Sequence, residues 1–308
     1  MRFYFQLQLK MLNRRLVDFG LPPYIGYALS LLAFIGFCVY IFLKTAFAPY
    51  ILIGLGFSFL LQLSESGRNN ALKSYFPKED FVKLRLMENA IVALPFLVVL
   101  VFNLAILPAI AFLLAALGMI FFKFENKLNL TIPTPFSKRP FEFTVGFRST
   151  FPLILFTYFL GVMAVIADNF NLAVFSQVTV IAICLSYYGK PEDAFYVWTF
   201  SESPKSFLLR KIKTAILQSS MLAIPIVVLM LIFFPEQAIL IAAFQVVGFL
   251  YLATLILAKY SAFPQGINLP QSVMLAVSFL FIPVLPVFTA YFYNEAKGRL
   301  KILLDDQN

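Results

Sequence analysis

The fold class that the sequence predicts is all-α, a polytopic helical membrane protein, and three observations predict it. Hydrophobic residues make up 61% of the 308 residues and charged residues 13%, with a mean hydropathy of +0.87, whereas a soluble domain is roughly 45–50% apolar and 25% charged. Apolar stretches recur at close to the roughly 20 residues that a helix needs to cross a hydrocarbon core about 30 Å thick. The basic residues collect in alternate connections between those stretches, which is the asymmetry that orients membrane helices.

The leader "MRFYFQLQLKMLNRRLVDFG" comes first. It precedes an apolar run too long for the core of a secretory signal and carries no small-residue cleavage site, so it is expected to stay on the protein. On a helix, Phe5, Leu9, Leu12, Leu16 and Phe19 share one side, with Lys10, Arg14 and Asp18 roughly opposite. That pattern suits an amphipathic helix lying at the cytoplasmic headgroups, although Leu7 and Met11 interrupt its polar side.

Eight spans are expected next, arranged as four hairpins: Leu21 to Leu43 with Phe47 to Leu63, Ala90 to Leu104 with Leu107 to Phe122, Phe151 to Ile166 with Leu172 to Tyr188, and Ala215 to Phe234 with Ala238 to Ala258. A ninth apolar segment, Ser272 to Tyr293, is broken by Pro283 and Pro286. Arg2, Lys10, Arg14 and Arg15 precede span 1; Arg68, Lys73, Lys78, Lys83 and Arg85 follow span 2. Lys123, Lys127, Lys138, Arg139 and Arg148 follow span 4, and Lys190, Lys205, Arg210, Lys211 and Lys213 follow span 6. The four turns between hairpin partners hold Lys44 as their one basic residue. The expected location is therefore the plasma (inner) membrane with a cytoplasmic N-terminus. Basic residues in alternate loops also make nucleic acid an unneeded partner for the net charge of +9.

Residues 1–308 read as a single membrane domain containing an internal repeat, 1–122 and 138–258. "PKEDFVKLRLMENAIVALP" from Pro77 and "PKSFLLRKIKTAILQSSMLAIP" from Pro204 share Pro-Lys, an aromatic, a basic pair and a proline-broken apolar helix. Four spans per copy would give both copies one orientation, as in parallel transporter repeats.

The chemistry the chain excludes is as informative. With no histidine, it cannot build a Ser-His-Asp triad or a His-ligated zinc site. Cys38 and Cys184 sit in apolar runs without ligand spacing and read as small buried hydrophobes. No phosphate-cradling G-x-x-x-x-G-K-[ST] loop is present, so the chain is read as non-enzymatic, without a cofactor of its own, and any ATP must be handled by another chain.

The charged stretch at Pro77 to Arg85 reads as a short helix of its own. Pro77 suits a first turn, Glu79 and Asp80 the positive end of the dipole, and Lys83 and Arg85 its later turns. Arg85 and Glu88 are three apart and positioned to pair. Its counterpart, Gly189 to Ala215, places Phe195, Tyr196, Trp198 and Phe200 between Glu192–Asp193 and Arg210–Lys213; an interfacial aromatic belt and a docking helix both fit that composition.

An amphipathic leader, two spans and a charged loop with a short helix resemble the permease subunits of type-2 ABC exporters. "SESPKSFLLRKIKTAI" and the tail "YFYNEAKGRLKILLDD" resemble further segments of that family. The resemblance implies a permease that pairs with a separate cassette ATPase and with a second permease copy or related permease, in the lipid bilayer. It also implies ATPase-coupling residues at Pro77, Lys78, Glu79, Asp80, Phe81, Lys83, Arg85 and Glu88, with Pro204, Lys205, Phe207, Arg210 and Lys211 in the second loop. Phe81, and Phe207 behind it, would be the apolar knob entering the ATPase. A membrane-embedded lipid-modifying enzyme, which needs Asn89, Asn103 and Asp168 to converge, and an integral-membrane assembly subunit are the alternatives.

Overall fold

The computed structural model describes residues 1–122, 133–136, 141–193, 195, 197 and 203–305. The basic residues Lys123, Lys127, Lys138 and Arg139, the aromatics Tyr196, Trp198 and Phe200, and Ser201 and Glu202 fall outside them. Every regular element among the described residues is helical, and the chain divides into two compact units: 1–17 with 21–130, and 18–20 with 131–308.

The first unit holds α1 (Arg2–Asp18), α2 (Pro23–Lys44), α3 (Ala48–Leu63), α4 (Ser66–Tyr75), α5 (Lys78–Phe102) and α6 (Ile106–Gly118). α2 starts at a proline, where the missing N–H is no loss. Its core is the meeting of α3, α5 and α6, where Leu52, Leu60, Phe96, Leu100 and Phe112 are buried. Gly56 permits this: a Cβ there would stand 2.5 Å from the Phe112 ring.

In the second unit, α7 (Phe141–Ile166) and α8 (Phe170–Ser186) form a hairpin, joined by residues 187–203 to α9 (Pro204–Phe233). α10 (Ala238–Ser261) follows a single 3-10 turn, and α11 (Leu269–Leu280) and α12 (Leu285–Asp305) close the unit. Asn169 caps α8 by accepting from Leu172 N at 3.1 Å, and Ser203 caps α9 by accepting from Ser206 N at 3.3 Å, as such residues do at N-caps. The ninth apolar segment breaks at its prolines, as expected. Pro283 lies in a 3-10 turn and Pro286 in the first turn of α12.

Among the described residues, five helices are long and apolar enough to cross a membrane: Pro23–Lys44, Lys78–Phe102, Phe141–Ile166, Pro204–Phe233 and Pro235–Ser261. The chain is thus a helical membrane protein. The count differs from the eight spans and ninth segment expected, because four apolar helices are shorter, at 10–17 residues. α6, with 13 residues, rises only about 20 Å, since Leu104, held at φ 57, turns the chain before it and Gly118 ends it.

A second correction concerns Pro77 to Arg85. These residues are the opening turns of the long helix α5, with Pro77 as its N-cap, and make no separate helix. The short loop helix is instead α4, just before it. The error is one of register: Phe81, Leu84 and Glu88 extend the stripe Asn89, Ala93, Phe96, Leu100 by further helical turns, so the stretch propagates α5.

Candidate polar clusters at the loop ends of the helices

Arg85 and Asn89, one turn apart on α5, face the C-terminal ends of α3 and α6. A helix leaves its last carbonyls without internal partners, and cations are favoured there. The fully buried Arg85 guanidinium donates to Leu63 O at 2.6 Å, Ser64 Oγ at 2.8 Å and Met119 O at 3.1 Å. Asn89 Nδ2 donates to Ala116 O at 2.9 Å. One face of α5 therefore closes the ends of two neighbours.

Glu88 sits three residues on from Arg85, 3.7 Å from its guanidinium, as the spacing predicted. Its carboxylate also pairs with Arg68 of α4 and accepts from the Tyr4 hydroxyl of α1. Arg68 in turn donates to Leu63 O at 2.9 Å and to the Tyr4 hydroxyl at 2.8 Å. Burial, followed by the hydrogen bond to Glu88, pushes the Tyr4 hydroxyl up to about 12, so it keeps its proton and donates. The leader and the loop helix are thus locked to α5 through one carboxylate.

The second unit carries a cluster of different composition. Lys211 on α9 lies 3.1 Å from Glu142 Oε1 and 2.5 Å from Glu192 Oε1. Lys259, in the last turn of α10, lies 3.4 and 3.3 Å from the same two atoms, and Tyr260 donates to Glu192 at 3.2 Å. Two acidic side chains lie among two ammonium groups, so each buried charge faces its opposite. Glu142 opens α7 and Lys259 ends α10, each at the helix end whose dipole favours its sign. Glu192 belongs to the connection after α8. Burial acts to raise its carboxyl, but the hydrogen bond with Glu142 and the two ammonium groups outweigh it and hold it at about 2.

Of the expected coupling residues, Arg85, Glu88 and Lys211 take part in these clusters, though not as a docking face. Phe81 is 7% exposed, with the Lys73 ammonium 5.0 Å from its ring centroid, and Phe207 is 2% exposed against Tyr260. Neither is a surface knob, because each sits on the buried stripe of its helix. Pro77, Lys78, Glu79 and Lys83 are exposed and Asp80 half-buried; Lys205 is exposed, with Pro204 and Arg210 half-buried. Tyr75, the last residue of α4, is exposed at this end of unit 1, at 80%, as are Phe3 and Phe121.

Sequence reasoning missed Tyr4, Arg68, Glu142 and Lys259. Their partners are 20 to 117 residues away, and local spacing carries no signal over such distances. The signal that was available is charge inside or beside an apolar run: Lys259 directly follows the span ending at Ala258, and Glu142 lies in the first turn of α7.

Asn89 and Asn103 do not converge: Asn89 is on α5 and Asn103 is its C-cap, about 21 Å further along the axis, where Asn103 is exposed and donates to Val99 O of the same helix. Among the described residues no group of three His, Cys, Asp or Glu side chains is placed to hold a metal. Comparison with family models, curated proteins and solved structures gives no match for this chain.

Proposed function

We propose that this chain is the permease subunit of an ATP-driven ABC transporter, inserted in the plasma membrane with a cytoplasmic N-terminus and coupled to a separate cassette ATPase. The observation that carries this reading is the joint held by Glu88. It ties an amphipathic leader, α1, and a short interspan helix, α4, to the first turns of a long apolar helix. The leader and the charged loop after span 2, in which α4 lies, carry the resemblance to type-2 ABC exporters, and the joint gives them a physical route to α5: a force on α4 is transmitted through Arg68 and Glu88.

In this reading the coupling element is α4, with Tyr75 at its tip as the anchor in place of Phe81. The short apolar helices α3, α6 and α8 complete the eight crossings beside the longer ones. The burial pattern supports the internal repeat as well. A shift that carries Phe81 onto Phe207 carries Arg85 onto Lys211, Asn89 onto Ala215, Ala93 onto Ser219, Phe96 onto Leu222 and Leu100 onto Ile226, all buried. Each unit then has one cation, a turn beyond a buried phenylalanine, at the centre of its polar cluster. A second permease copy, or a related permease, completes the transport unit.

The test is recovery of a cassette ATPase co-expressed with the chain. Tyr75→Ala should lower recovery roughly 30-fold, as truncating an anchor worth about 2 kcal/mol does, with the permease inserted at its normal level. Undiminished recovery would remove α4 as the coupling element.

A further inference from the structure

From Phe279 to Phe288 the chain carries no polar side chain, although within those residues it leaves one helix, turns and enters another. α11, with 12 residues, rises about 18 Å, well short of a hydrocarbon core about 30 Å thick. Its contacts with α10 fix how deep it reaches. The Ser278 carbonyl near the end of α11 accepts from the Tyr251 hydroxyl, and the Phe279 ring stacks on that of Tyr251 at 4.4 Å. Tyr251 lies about 12 Å along α10 from Lys259, which belongs to the polar cluster at that end of the helix. α12 then meets α10 at Thr254, whose hydroxyl is 2.6 Å from that of Thr289.

We propose that α11 and the opening half of α12 form a re-entrant hairpin, which enters and leaves the membrane on the side of Lys259 and sets its turn among the acyl chains of that one leaflet. The direction of α12 decides it. Running on across the membrane, α12 would carry Glu295, Lys297, Arg299 and Lys301, all exposed, through the hydrocarbon, where ionised side chains are costly. Running back, it comes level with Lys259 at Asn294, since Lys259 follows Thr254 at the same spacing as Asn294 follows Thr289. Every charge on α12 then falls outside the core.

Burial along α10 agrees. The helix is buried on every side from Ile256 to Ser261 but leaves Ile239, Leu240, Phe244 and Val246 exposed nearer its start, as a cover that stops part-way along it would do. The turn is also furnished for a dry setting, where unpaired backbone groups are not tolerated. Pro283 and Pro286 bring no N–H, Phe281 N donates to Val277 O at 2.9 Å and Val284 N to Phe281 O at 3.1 Å, and the Tyr251 hydroxyl takes the Ser278 carbonyl. Around it Phe279, Leu280 and Phe281 are 62%, 89% and 58% exposed, a surface that fits acyl chains and not water. The hairpin stands independently of the transporter reading.

Single cysteines in a chain with Cys38 and Cys184 replaced test it. Gln265 before the hairpin and Lys297 after it are both exposed, and cysteines at the two positions should be labelled by an impermeant thiol reagent from the same side of the membrane. A nitroxide at Leu280, with the full chain in nanodiscs, should be relaxed by dissolved oxygen and shielded from a water-soluble nickel chelate, whereas one at Lys297 should show the reverse. Phe281→Cys repeats the depth measurement if Leu280→Cys fails to insert. Labelling of positions 265 and 297 from opposite sides overturns the proposal, and so does nickel access to the nitroxide in the turn.

Discussion

Arg85 is the residue on which the end of unit 1 depends. Its guanidinium satisfies carbonyls of two helices and faces Glu88, so Arg85→Met should destabilise the protein by about 3–5 kcal/mol, the range for leaving a buried ion without its partner. Lys83, exposed two residues earlier, should matter by no more than about 0.5 kcal/mol when changed to Ala. Thermal unfolding in detergent compares the two. Glu192 gives a pH dependence whose sign is fixed. Its folded pKa of about 2 lies below its ordinary 4.5, so its stabilisation is present above pH 4.5 and is lost as pH falls towards 2. Between pH 5 and 2 the unfolding temperature of the unaltered protein should therefore fall more steeply than that of Glu192→Gln; parallel curves would show that the carboxylate does not contribute. The Arg85–Glu88 pair was legible from a spacing of three on a helix. The Glu142–Lys211 pair was not, because only the packing of α7 against α9 brings residues so distant in sequence to 3.1 Å.

At the scale of elements, the sequence revealed which segments are apolar and helical but divided one long helix, α5, into two. Proline at position 77 was a correct start signal, and the mistake was to stop the helix after Arg85 instead of running it into the span. The consequence is measurable. As a buried residue, Phe81 should behave on truncation like other core phenylalanines, with Phe81→Ala losing about 3–5 kcal/mol of stability. As a surface knob it would lose partner binding at unchanged stability. Gly56 offers a complementary test of the α3–α6 approach: a methyl group there meets the Phe112 ring, so Gly56→Ala should lower the unfolding temperature even though alanine is the better helix former. The lengths of α3 and α8, 16 and 17 residues, were legible from hydropathy, whereas those of α6 and α11 were not, because apolar residues continue past the helix ends at Gly118 and Leu280.

For the whole molecule, the alternation of basic residues sets an expectation for topology. In a chain with Cys38 and Cys184 replaced, single cysteines at Asn70 and Ser203, both exposed, should resist an impermeant thiol reagent in intact cells. Cysteines at Asp168 and Glu236, exposed in the turns between hairpin partners, should react. The central claim is the partnership with a cassette ATPase, and ATP hydrolysis tests it most directly. The tagged chain, isolated in mild detergent from its native membrane and separately from a host that supplies it alone, should show vanadate-sensitive hydrolysis in the first preparation and none above background in the second. Hydrolysis by the lone purified chain, or a native complex that neither hydrolyses ATP nor contains a cassette ATPase, would contradict the account.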